Sequence, residues 1–95
     1  MDERDVSGER DGRAAAGHPD LQLYYRPTCP FCVRVLRFMR TRGIEVGMHD
    51  ISASEADRAF LVERGGKQQV PCLFVNGVAL YESADIIAYL DRELS

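Results

Sequence analysis

The stretch Leu21-Gln22-Leu23-Tyr24-Tyr25-Arg26-Pro27-Thr28-Cys29-Pro30-Phe31-Cys32 joins two patterns of different period. Leu21–Tyr25 is short, apolar and partly aromatic, and Pro27 ends it, which predicts a strand. From Pro30 to Arg42 the residues Cys32, Val35, Leu36 and Met39 recur at three- and four-residue spacing. Arg34, Arg37 and Thr41 take the opposite face, so a helix is predicted there. The two cysteines therefore stand where a strand turns into a helix. Such a pair can hold a metal, form a structural disulfide or carry out redox chemistry.

The position favours redox chemistry. Pro30 occupies the point of a helix where a missing amide costs least. A thiol at Cys29 faces unpaired backbone N–H groups and the positive end of the helix dipole, and both favour the thiolate. Cys32, one turn on, is near enough to attack a disulfide formed at Cys29 and is expected to be shielded by the fold. Arg26 adds a fixed positive charge three residues before Cys29.

Beyond this turn, Gly43 is expected to close the first helix as a C′ residue. Ile44–Met48 reads as a second strand. Ser52-Ala53-Ser54-Glu55 has capping-box spacing before a helix with Ala56, Ala59 and Phe60, which Gly65-Gly66 ends. Val70–Val75 is nearly all apolar, as a central strand covered on both faces would be. Asn76-Gly77 signals a hairpin that returns the chain into Val78–Tyr81. Ser83 then reads as the cap of a last helix whose Ile86, Ile87, Leu90 and Leu94 share one face. The order β-α-β-α-β-β-α, with a parallel first unit and an antiparallel hairpin, is that of an α/β thioredoxin-like domain with a four-stranded mixed sheet over residues 21–95.

Composition narrows the function classes. The chain of 95 residues is 45% hydrophobic, enough for one modest core. Residues 1–20 hold six acids against three arginines and no hydrophobic run, so a disordered N-terminal tail is expected rather than a signal peptide. Residues 21–95 hold nine charges of each sign, which gives no footprint for nucleic acid. No apolar run has membrane-spanning length. A cytoplasmic setting is expected, where persistent disulfides are rare, and three cysteines do not make a disulfide framework. A zinc site usually brings a second Cys or His pair, whereas Cys72, His18 and His49 are single, so no metal is expected. Cys72 reads as a buried hydrophobe, one of Tyr24 and Tyr25 as core, and His49 has no evident partner.

Residues 21–95 resemble the glutaredoxin family, and three motifs carry the likeness. Tyr25-Arg26-Pro27-Thr28-Cys29-Pro30-Phe31-Cys32 is similar to the C-P-Y-C site of dithiol glutaredoxins, and Val70-Pro71 to the family's Val–cis-Pro pair. Gly66–Pro71, followed by Tyr81–Leu90, is closer to the N-terminal domain of glutathione transferases and similar to those glutaredoxins that share the transferase-like form. The resemblance implies a glutathione-disulfide oxidoreductase acting on glutathionylated or disulfide-containing proteins, with Cys29 as nucleophile and Cys32 as resolving thiol. It implies glutathione contacts from Arg26, Phe31, Lys67, Val70, Pro71, Glu82, Ser83 and Asp85. Ser83 would hold the γ-glutamyl carboxylate, with Asp85 or Glu82 near its ammonium. Val70 would pair with the cysteinyl backbone, and Arg26 or Lys67 with the glycyl carboxylate.

Several positions depart from the family pattern. Phe31 replaces Tyr, Gln69 stands where Thr is usual, and Tyr81–Asp85 replaces Gly-Gly-x-Asp-Asp, which makes a transferase-type γ-glutamyl site the expectation. No helical second domain follows, so ordinary transferase activity is not expected. The alternatives are a glutathione-ligated [2Fe–2S] module, which Pro30 would stiffen unfavourably, and a glutathione-binding domain without turnover of its own. A monomer is the simplest expectation.

Overall fold

In a computed structural model, which describes residues 19–94, β1 (Leu21–Tyr25) and β3 (Cys72–Val75) lie inside a four-stranded sheet. The edges are β2 (Gly47–Asp50) and β4 (Val78–Leu80), in the order β2-β1-β3-β4. β1 pairs with β2 in parallel and with β3 antiparallel, and β3 pairs antiparallel with β4. The expected tail over 1–20 lies outside the described residues, apart from Pro19 and Asp20. Asp20 is tied at its amide to the Asn76 side chain and at its carbonyl to the Asn76 amide, each at 2.8 Å.

The side-chain period of two sorts β1 and β3 onto two cores. Leu21, Leu23 and Leu73 pack with Val35, Met39 and Ile44, and with Ile86 and Leu90. These come from α1 (Pro30–Arg42), its following turn and α3 (Ser83–Leu94). On the other face Tyr24, Cys72 and Phe74 meet Ile51 and Leu61, the latter from α2 (Glu55–Gly65). Tyr24 is thus core, and Tyr25 packs partly against the opposite side. Leu23, Leu61, Leu73, Ile86 and Leu90 are fully enclosed, and truncating any of them to Ala costs about 2–5 kcal/mol.

Some boundaries differ from the sequence expectation. β2 begins at Gly47 rather than Ile44, because Ile44 completes the end of α1 instead. Gly43 takes φ +68°, the Ile44 amide donates to the Met39 carbonyl at 2.9 Å, and the Ile44 side chain sinks into the core. A left-handed residue followed by an apolar one that packs back is the usual helix stop. The cap of α2 is Ser54, not Ser52. Ser54 Oγ accepts from the Asp57 amide at 3.1 Å, whereas Ser52 bonds to Asp50 in the preceding turn.

The other revisions concern β3, the start of α3 and His49. β3 starts at Cys72, since Val70 and Pro71 are joined by a cis peptide outside the ladder. Glu82, not Ser83, stands at the cap position of α3, because its carbonyl accepts the Ile86 amide at 2.8 Å. His49 has partners after all. It stacks on Tyr24 at 4.4 Å between centroids and bonds Asp57 at 3.2 Å and Gln22 at 2.7 Å.

Candidate active site

Cys29 caps α1 with extended backbone (φ −79°, ψ 125°), and its carbonyl accepts the Val33 amide at 2.8 Å. Its thiol is partly exposed, whereas Cys32, one turn on, is fully buried against the core. Burial works against ionising Cys29. The Cys32 amide, the Cys32 thiol, the Phe31 amide and the Arg26 charge outweigh it, and its pKa falls below the ordinary 9.0. These are the unpaired amides of a helix N-terminus acting on an anion.

Cys32 is driven the other way. Burial pushes its thiol up to about 11, against the Arg26 amide, which donates to Cys32 Sγ at 3.4 Å. The S–H of Cys32 remains available to donate to the Cys29 sulfur, which raises Cys32 further. The surroundings therefore favour the thiolate at the accessible Cys29 and the thiol at its buried neighbour. In such a pair Cys29 can attack a disulfide to form a mixed disulfide, and Cys32 can then attack the Cys29 sulfur and displace the reduced product.

Next to the cysteines lies a cleft of about 320 Å³ lined by Phe31, Gln69, Val70, Pro71, Tyr81, Glu82 and Ser83. It is built where three segments meet: the first turn of α1, the cis Val70-Pro71 bend, and the turn from β4 into α3. Phe31, large and 58% exposed, forms one wall. Ser83 is only 8% exposed, and its hydroxyl has no hydrogen-bond partner among the described residues. The backbone groups of Val70 likewise carry no backbone partner among them.

Five of the residues assigned by resemblance, Phe31, Val70, Pro71, Glu82 and Ser83, thus converge on one cleft. Lys67 sits at its margin through Tyr81, with Nζ 4.6 Å above the Tyr81 ring. The Tyr81 hydroxyl donates to the Lys67 carbonyl at 3.3 Å. Arg26 is not part of the lining; its charge acts on Cys29. Asp85 is exposed in the first turn of α3 and is also outside the lining.

Gln69 and Tyr81 complete the lining and were absent from the sequence-derived set. Their adjacency to Val70-Pro71 and Glu82-Ser83 was the available signal. Tyr81 reaches its place because residue 65 is glycine; a Cβ there would overlap the Tyr81 hydroxyl. Beneath it, burial pushes the Cys72 thiol up to about 11, against the Leu80 amide, the Tyr81 hydroxyl and the Lys67 charge. Cys72 is an enclosed member of the core, as its setting in an apolar strand suggested. Among the described residues no three His, Cys, Asp or Glu side chains gather as metal ligands.

The family model described as Glutaredoxin matches residues 21–80. A probable glutaredoxin from Synechocystis sp. is 30% identical over 69 residues, which cover 72% of this chain and 78% of that protein. The solution structure of glutaredoxin from Brucella melitensis aligns with a TM-score of 0.55 and 32% identity, over 79% of this chain and 80% of that one. An unclassified glutathione S-transferase from Bombyx mori aligns at TM-score 0.66 and 26% identity, over 78% of this chain but 35% of the transferase. The fold is thioredoxin-like, and the family model over residues 21–80 together with the Synechocystis relative shows that the chain belongs to the glutaredoxin family, whose members are thiol oxidoreductases.

Proposed function

We propose that the protein is a glutathione-dependent thiol–disulfide oxidoreductase that reduces glutathione mixed disulfides and protein disulfides. The observation that carries this reading is the juxtaposition of a stabilised Cys29 thiolate with a cleft shaped for a short peptide. The Cys29 thiolate attacks the glutathione sulfur of a mixed disulfide. The bond between that sulfur and the substrate breaks, and the substrate leaves as a thiol after taking a proton from solvent. A second glutathione thiolate then attacks the sulfur bound to Cys29, which releases glutathione disulfide and restores the Cys29 thiolate. With a protein disulfide, Cys32 displaces the reduced substrate and closes a Cys29–Cys32 disulfide that two glutathiones reduce.

Glutathione is a γ-linked tripeptide with a carboxylate at each end. Its γ-glutamyl carboxylate matches the buried Ser83 hydroxyl, unpartnered among the described residues, and the first amides of α3, where an anion is favoured. Its cysteinyl backbone matches the Val70 peptide groups, which have no backbone partner among the described residues. Its glycyl carboxylate suits Lys67, which Tyr81 holds at the margin of the cleft, and leaves Arg26 to the thiolate. Glu82, or Asp85 just beyond it, suits the ammonium. A cytoplasmic monomer is part of this reading, since reduced glutathione maintains thiols there.

A glutathione-coupled reduction assay on a small mixed disulfide tests the proposal. Cys29→Ser is expected to abolish turnover, and Cys32→Ser to retain a substantial part. Full activity in Cys29→Ser would overturn the nucleophile. Binding to a glutathione resin without turnover in the wild type would reduce the reading to a binding domain. Visible absorbance after anaerobic purification would redirect it to an iron–sulfur cluster held by Cys29 and glutathione.

A further inference from the structure

The charges of this molecule are segregated along the chain. Residues 26–42 carry five arginines and no acid, while residues 43–95 carry nine acids against four basic residues. The two halves cancel in the total and hide the pattern. Within α1, Arg34, Arg37 and Arg40 recur at three-residue steps, all are exposed, and none makes an ion pair among the described residues. Arg42 is different: it lies over the Phe38 ring and pairs with Asp91.

Helix geometry gives this ridge a definite reach. Arg34 stands about 7–8 Å along the axis from Cys29, and Arg40 about 9 Å further. The lower end of the ridge opens on a second cavity of about 450 Å³ between α1 and the β2 edge. Leu36, Met39, Val46 and the 45%-exposed Met48 line it, with Arg40 on its rim and a single acid, Glu45. Neither feature belongs to the glutathione cleft, which lies on the Phe31 side of the same helix.

We infer that the α1 ridge of Arg34, Arg37 and Arg40, with the apolar groove beside Arg40, docks an acidic segment flanking the modified cysteine of a protein substrate. This rests on the oxidoreductase reading, and it names the class of substrate that reading leaves open. An extended chain advances about 3.3 Å per residue. Acids about two to five residues from the modified cysteine would therefore meet the ridge, and an apolar residue just past them would enter the groove. A peptide segment suits the ridge better than a long polyanion does. A duplex or an anionic bilayer would extend well beyond a ridge of about 9 Å, onto a domain whose residues 21–95 carry no net positive charge.

The test compares three mixed disulfides with glutathione: an aspartate-rich peptide with a leucine beyond the acids, its lysine-rich counterpart, and a small hydroxyethyl compound. At low salt kcat/KM should favour the acidic peptide about tenfold over the basic one, and the gap should close as salt screens it. The triple variant Arg34→Glu, Arg37→Glu, Arg40→Glu should reverse that preference and leave turnover of the hydroxyethyl compound unchanged. Equal rates for the two peptides in the wild type, or a preference that survives the triple variant, would overturn the inference. Tighter binding of duplex DNA or phosphatidylserine vesicles than of the acidic peptide would overturn it too.

Loss of turnover on the hydroxyethyl compound in the wild type would strike the oxidoreductase reading alone. Fluorescence anisotropy of the labelled acidic and basic peptides would then decide the docking surface. Equal binding of the two would overturn it, and a preference for the acidic peptide that vanishes in the triple variant would support it.

Discussion

Two sulfurs one helical turn apart are driven in opposite directions by their surroundings. Cys29 meets amides, a thiol donor and the Arg26 charge, while Cys32 meets the core. Cys32→Ala removes the thiol donor, so the Cys29 pKa should rise toward 9.0, read from the pH dependence of iodoacetamide alkylation. Because the wild-type value lies below 9.0, the rate of attack should fall only as pH drops through that lowered value. Ser83 offers a second residue-scale prediction. Ser83→Ala should raise KM for glutathione roughly threefold to tenfold, the size of one hydrogen bond, in steady-state assays. The exposed position of Cys29 at a helix start and the shielding of Cys32 one turn on were legible in the sequence, because the strand-to-helix turn is a local pattern. Tyr81 was not, because its contact with Lys67 spans fourteen residues and depends on a glycine at position 65.

At the scale of elements, the apolar periodicities located all seven strands and helices, and the misplacements are confined to their ends. The cap of α2 shows why. Ser52 and Ser54 both precede Glu55, and the chain could be capped by either on spacing alone. Asp50 decides it by engaging the Ser52 amide and hydroxyl, which leaves Ser54 for the Asp57 amide. Ser54→Ala should therefore cost about 1 kcal/mol in urea unfolding, and Ser52→Ala, which loses one exposed bond and keeps its amide on Asp50, should cost less. The shift of β2 has a similar origin: Ile44 has strand character by composition, but its side chain completes the core under α1. α1 itself holds two roles, presenting Cys29 at its first turn and the arginine ridge along its outer face.

For the whole molecule, the two enclosed thiols link stability to pH. Cys32 and Cys72 ionise near 11 when folded and near 9.0 when unfolded. Between those values the unfolded chain releases protons that the folded one keeps, so stability should fall as pH rises from about 9 to about 11. Urea midpoints across that window would show the decline, and Cys72→Ala should flatten it while lowering stability at neutral pH. The cleft proposed for glutathione is also a property of the whole, since α1, the Val70-Pro71 bend and the start of α3 each contribute one wall.

The sequence by itself determined the order of elements, the two apolar faces of the sheet and the placement of Cys29 at a helix start. These follow from periodicity and local backbone chemistry, which act over a few residues. Only the tertiary structure decided which hydroxyl caps and which waits in a cleft, where Tyr81 and Lys67 meet, and how deeply Cys32 and Cys72 are enclosed. Those depend on contacts between residues distant in the chain, whose packing no local pattern encodes.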